Sequence, residues 1–261
     1  LVEFDEWGRR RWDLALQPLL WQYFLRARED AAHPCHNSSS THPCGDWLHP
    51  NSLYWDIAED TIYLNSRALD TFFKIRQATK RVEWALGRVG DVEMHGDGGI
   101  RAPALFVGAH EVSKLGPGRF LLFDNMCHSR EVVKRGTNGV REEVDPQCSA
   151  RTAELRVDEG RRTAHVVWAW ARAHPTPNMG SAYRLPGGRV LAHFPYARTT
   201  YEVTPEGRIV RELHMRGPQP PAPPLGADAA SGLAHEAKHN PHFLSYRARR
   251  FYTRPLVRLV T

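Results

Sequence analysis

ALFVGAHEVSKLGPGRFLLFDNMCHSR, residues 104–130, sets a histidine, a tight turn, an apolar strand and an arginine in order along one short stretch. Phe120 to Phe123 is an uninterrupted apolar run of strand length, bounded by Gly116-Pro117-Gly118 on one side and Asp124-Asn125 on the other. Such a run reads as a fully buried strand between turns. Its pattern recurs: LPGGRVLAHF (185–194) lies over LGPGRFLLFD (115–124) without a gap, so that Leu185 falls on Leu115, Gly188 on Gly118 and Val190 on Phe120.

Another copy lies upstream. Residues 46–86, DWLHPNSLYWDIAEDTIYLNSRALDTFFKIRQATKRVEWAL, contain three strand-like runs separated by short polar turns, and Arg67 precedes Trp84 by the same 17 residues that separate Arg151 from Trp168. In the third copy Arg198 takes the part of Arg67 and Arg151. Repeats of roughly 40 residues, each with a Gly-containing turn and several short strands, are the signature of a β-propeller, whose four-stranded blades bury their faces against one another. The chain is therefore expected to be all-β, a single propeller domain over 1–261 with plain blades at 46–86, 104–170 and 179–215. Chain length over repeat period gives about six blades.

Long insertions interrupt the repeats. The segment from Cys127 to Cys148 reads as a loop stapled at its base, and 216–240 as a Pro/Ala/Gly-rich connection. At the start, alternation around Trp7-Gly8 predicts a hairpin over 1–14, and the cluster Leu19, Leu20, Tyr23, Phe24 and Leu25 predicts a helix over 17–32. The aromatic and β-branched residues of 241–261 are expected to pair with the N-terminal segment and close the ring.

Lys and Arg number 35 against 29 Asp and Glu, a net charge of +6 with both signs interspersed. That balance suits a small anion and lacks the basic block expected of a nucleic-acid binder. No stretch is long and apolar enough for a membrane span. The chain starts at Leu1 without Met or a signal-like segment, as a processed chain or a fragment does. Four cysteines fall in two close pairs, Cys35 with Cys44 and Cys127 with Cys148, without the C-x-x-C spacing of zinc sites. Disulfides in an oxidising compartment, periplasmic or secreted, are the expectation, with local pairing favoured among the three possible connectivities. The spacing of His33, His36 and His42 is not a usual ligand pattern, so neither metal nor cofactor is expected.

Several motifs in order carry a resemblance. Asp46-Trp47-Leu48-His49-Pro50-Asn51-Ser52, Asn65-Ser66-Arg67, Glu83-Trp84-Ala85-Leu86-Gly87, Gly108-Ala109-His110, Phe123-Asp124-Asn125 with Arg130, and Gly180-Ser181-Ala182 with Leu185-Pro186-Gly187-Gly188 together resemble the bacterial arylsulfotransferase family, which takes sulfate from an aryl sulfate ester rather than from a nucleotide. The resemblance implies a six-bladed propeller with a central funnel, where histidines and an arginine pass a sulfuryl group to a phenol through a sulfohistidine. His49, His110 and Arg130 match by motif, with Asn51, Asn125 and Trp47 beside them as substrate-binding candidates. The family's nucleophile lies in the blade of the third copy. There the position matched to His110 is Gly180, and His193 is the histidine of the strand core, which makes it the candidate nucleophile.

The chemistry suits these residue types. A sulfate monoester spreads one charge over three oxygens and is held well by a bidentate guanidinium. A neutral imidazole can attack sulfur, and a second histidine can exchange protons with the phenol oxygens. Trp47, Trp55 and Tyr196 are candidates to stack on aryl rings. Arg67, Arg151 and Arg198 recur, so their expected part is structural. Arg130, outside that repeat, is the expected anion ligand. The competing class is a non-catalytic propeller that binds a small anionic, glycan or peptide ligand at its mouth.

Overall fold

The computed structural model describes residues 1–31, 33, 36, 46–96, 99–126, 130–133, 140–143 and 149–215, the strands at 130–133 and 140–143 by their backbone alone. The cysteine pairs, the connection 216–240 and the segment 241–261 lie outside the described residues. A hairpin of β1 (Val2–Phe4) and β2 (Arg10–Asp13) opens the chain, turning at Gly8 as the alternation predicts. Helix α1 (Leu16–Glu29) follows and stops short of Ala32, because Asp30 turns extended while its N–H bonds to Arg26 O.

Three antiparallel meanders come next. Blade 1 is β3 (Pro50–Asp56), β4 (Thr61–Ser66), β5 (Thr71–Arg76) and β6 (Arg81–Gly87). After β7 (Glu93–His95), blade 2 has β8 (His110–Gly116) and β9 (Arg119–Asp124), then the inserted hairpin β10 (Arg130–Val133) and β11 (Val140–Glu143), then β12 (Arg151–Asp158) and β13 (Thr163–Ala171). β7 adds to its outer edge, parallel to β13. Blade 3 is β14 (Ser181–Arg184), β15 (Val190–Phe194), β16 (Thr199–Val203) and β17 (Ile209–His214). The hairpins of blades 1 and 2 turn through Asp60, Lys80 and Arg162 at positive φ. In the G-P-G turn Gly118 (φ 61°) is required, since a Cβ there would lie 2.4 Å from Val157 O.

Side-chain alternation explains the stacking. In β4, Ile62 and Leu64 face α1, where they pack with Leu20, Tyr23, Phe24 and Ala27, while Tyr63 faces blade 2. Between blades 1 and 2 the rings of Phe72, Trp84 and Phe120 meet edge to face, the closest pair at 4.9 Å. Phe123, Phe194 and Tyr201 do the same between blades 2 and 3. Each such burial contributes about 1.5–3 kcal/mol. The first strands stand side by side, β8 touching both β3 and β14, as they do where blades surround a channel.

One expected equivalence is corrected. The turn from β4 to β5 and that from β15 to β16 share a hydrogen-bond pattern: Asp70 N–H to Arg67 O matches Arg198 N–H to Pro195 O, and Thr71 Oγ1 to Leu69 O matches Thr199 Oγ1 to Ala197 O. Arg198 therefore corresponds to Asp70. Arg67, the first residue after β4, corresponds to Pro195 and to Asn125, the first after β9. The equal spacing of 17 misled because in blade 2 the insertion opens this same turn and moves Arg151 onto β12.

Candidate active site

The start of each first strand and the end of each second strand lie at one end of their blade, and there the chemistry-bearing residues gather. His110 opens β8 and is almost fully buried. Its Nδ1 lies 2.9 Å from Gly108 O and 2.8 Å from Asn125 Oδ1. Asn125 is oriented by its own donors, since Nδ2 bonds to Thr176 O at 2.6 Å and to Met179 O at 3.1 Å. Both groups facing Nδ1 are acceptors, so Nδ1 carries the proton. On the far side of the ring, Met179 N–H donates to Nε2 at 3.2 Å, which marks Nε2 as the lone-pair nitrogen.

Burial pushes the His110 imidazole down to about 4, and the charges of Arg67 and His49 act in the same direction. The geometry links the three: Arg67 Nη2 and His110 Nε2 both bond main-chain atoms of residues 177–179, and Arg67 N–H bonds His49 O. Arg67 follows β4 directly, its N–H bonded to His49 O, and its Nη2 reaches Pro177 O at 3.3 Å. His49 precedes β3 at φ 37°, half-exposed, with Nδ1 2.5 Å from Asp46 Oδ2. Blades 1 and 2 are tied together here. Asn51 Nδ2 and Asn65 Nδ2 both bond to Ala109 O, at 2.8 and 2.7 Å, and Asp70 Oδ1 accepts Gly108 N–H at 2.6 Å.

The expected site residues thus part company. His49, Asn51, His110 and Asn125 come together. Asn125 is fully buried with both ends of its amide bonded to the protein, so it positions His110 and offers nothing to a substrate. Trp47 packs on α1, edge-on to Trp21 at 5.4 Å and tilted against Phe24. His193 is completely buried one residue before the end of β15, between Ser181 and Thr200, with Nδ1 2.9 Å from Thr200 Oγ1. Its neighbours Ala192 and Phe194 face blade 2, so His193 takes the opposite face. Arg130 begins the inserted hairpin, and its side chain lies outside the described residues.

Gly180 stands where blade 3 has no histidine, and the packing says why. A Cβ there would lie 2.3 Å from the Phe123 ring, at a φ of 97°. The residue that spacing misassigned is Arg67. Its visible signal was its place directly after the Asn65-Ser66 end of a strand, in step with Asn125 after Phe123-Asp124.

Three consecutive antiparallel sheets, the second carrying a buried neutral histidine at one end, define a mostly-β chain of propeller-like build. The chain belongs to the arylsulfotransferase (ASST) family, whose sequence model matches residues 1–216. That membership supports a sulfotransferase-type function. No curated protein matches the chain. Among solved structures it is similar to Kuenenia stuttgartiensis hydrazine synthase (14% identity, TM-score 0.34, covering 67% of this chain and 52% of that one). It is also similar to virginiamycin B lyase from Staphylococcus aureus (9%, 0.33, 66% and 57%) and to the periplasmic gluconolactonase PpgL of Pseudomonas aeruginosa (14%, 0.30, 69% and 57%). The matched part spans between half and three fifths of each of these chains.

Proposed function

We propose that this protein moves a sulfuryl group from an aryl sulfate ester to a phenol, with His110 Nε2 as the nucleophile. One observation carries it: a buried imidazole whose proton is fixed on Nδ1 by two acceptors, with its Nε2 and the Arg67 guanidinium both bonded to the one short segment 177–179. Arg67 takes two sulfate oxygens, the part expected from sequence of Arg130. Nε2 attacks sulfur, the N–S bond forms, and the S–O bond to the aryl group breaks with its electron pair on oxygen. His49 gives that phenolate its proton from Nε2, while Asp46 holds Nδ1. The acceptor phenol then yields its proton to His49, attacks sulfur and breaks the N–S bond. Asn51 and Asn125 position His110 through Ala109 and directly.

The proposal includes a six-bladed ring in which the three described blades are consecutive members, and an oxidising compartment, periplasmic or secreted, in which Cys127 bonds to Cys148. Thiol counting before and after reduction checks the pairing. For the chemistry, the protein is incubated with a chromogenic phenyl sulfate, with and without a second phenol. Ping-pong kinetics are expected, and after quenching with donor alone the peptide heavier by one SO₃ contains His110. An adduct on His193 would reassign the nucleophile. Folded protein that cleaves none of several aryl sulfates would leave only an anion-binding module.

A further inference from the structure

The four residues Thr176–Met179, part of the connection 172–180 between β13 and β14, touch the proposed reacting groups and their supports through main-chain atoms. Asn125 Nδ2 bonds Thr176 O at 2.6 Å and Met179 O at 3.1 Å, Arg67 Nη2 bonds Pro177 O at 3.3 Å, and Met179 N–H bonds His110 Nε2 at 3.2 Å. A side-chain contact holds the segment from blade 3, Tyr196 OH donating to Asn178 Oδ1 at 3.0 Å. Its last residue, Met179, sits at φ 63°, where a non-glycine side chain is strained.

The bonds divide by what they hold. Those to the proposed reacting groups, Arg67 and Nε2, are long, whereas the shortest anchors the segment to Asn125, which does no chemistry. The Pro177 carbonyl oxygen occupies a place on Arg67 that an oxygen of a bound sulfate would take. Met179 N–H occupies the lone pair that would bond to sulfur. A sulfuryl group joined to Nε2 must displace Met179 N–H, and one held through Arg67 Nη2 must displace the Pro177 carbonyl.

We infer that Thr176–Met179 is a strap standing in for the sulfuryl group in the resting protein, and that Tyr196 and Asn178 latch it and thereby set whether the group goes to a phenol or to water. The inference rests on the proposed sulfuryl transfer. Donor binding lifts the strap from Arg67 and Nε2. Its return over the sulfohistidine, pulled by the latch, keeps water from sulfur until a phenol enters. Tyr196 and Asn178 are positioning residues, acting on the reaction only through the strap.

Tyr196→Phe keeps the ring and removes only the donor, and Asn178→Ala removes the acceptor. In each, cleavage of phenyl sulfate without added phenol should rise relative to transfer by roughly three- to tenfold, the population change that one ordinary hydrogen bond supplies. The adduct on His110 should shorten its lifetime by the same factor. Hydrogen exchange at the Asn178 and Met179 amides should quicken in both variants, and also in the unaltered protein on binding a non-transferable aryl sulfonate. An unchanged ratio of hydrolysis to transfer, or unchanged exchange with sulfonate binding verified by calorimetry, overturns the inference. Protein that binds the sulfonate and releases the strap, yet never cleaves an aryl sulfate, overturns the proposed function and leaves the strap standing.

Discussion

His110 keeps a neutral ring because folding removes it from water, and this ties acid stability to the proposed nucleophile. Its value of about 4 lies below the ordinary 6.5. Between these values the unfolded chain binds the extra proton. The stabilisation from a neutral ring is therefore complete above pH 6.5 and is lost as pH falls through 4, a difference of about 3 kcal/mol. Urea midpoints measured from pH 7 to 4 should fall, and His110→Asn should flatten that fall; an equal slope in both would refute the link. On the acid side, donor cleavage should hold until pH drops toward 4. The two arginines that equal spacing made look alike should behave differently. Arg67→Ala should lower donor kcat/KM by about 10- to 100-fold with little change in melting temperature, since it removes the charged hydrogen bonds proposed between its guanidinium and sulfate. Arg151→Ala should instead cost about 3–5 kcal/mol of stability, because it abandons the fully buried Asp124 carboxylate that it meets at 2.9 Å. Calorimetry beside steady-state kinetics separates the two. Spacing alone could not tell them apart, since an arginine's part depends on the turn it occupies.

Helix and strand were legible where packing follows period. Leu20, Tyr23 and Phe24 announce α1, and the apolar run Phe120–Phe123 announces β9, both of which the structure contains. The parallel addition of β7 to β13 was not legible, because three residues carry no period and their pairing is decided by a strand seventy residues on. Nor was the buried ring of Phe123 under Gly180, which local sequence does not encode. Gly180→Ala should destabilise the junction of strap and β14, both by overlap with that ring and by strain at φ 97°. Adding Phe123→Leu should recover part of the loss in chemical denaturation. No recovery would mean that the backbone conformation alone demands the glycine.

At the scale of the molecule, the blades are joined by aromatic stacks and by charges that cross between them. Lys114 of blade 2 bonds Asp56 and Glu59 of blade 1 at 2.7 and 2.5 Å, and the buried Glu154 of blade 2 takes Arg184 of blade 3 as well as Arg119. Glu154→Gln should loosen blade 3 from blade 2, costing about 1–3 kcal/mol, whereas Arg119→Ala, with its largely exposed side chain, should cost under 1 kcal/mol. Proteolysis between blades 2 and 3 should report the first and not the second. The repeats made the blades and their order readable from sequence, while the cross-blade charges, scattered along the chain, were not. Helix α1 adds a direction to this arrangement. It fills the face of blade 1 turned from blade 2 with Leu20, Tyr23, Phe24 and Ala27. The proposed ring would therefore close on blade 1 through this helix, and not sheet to sheet as blade 1 meets blade 2.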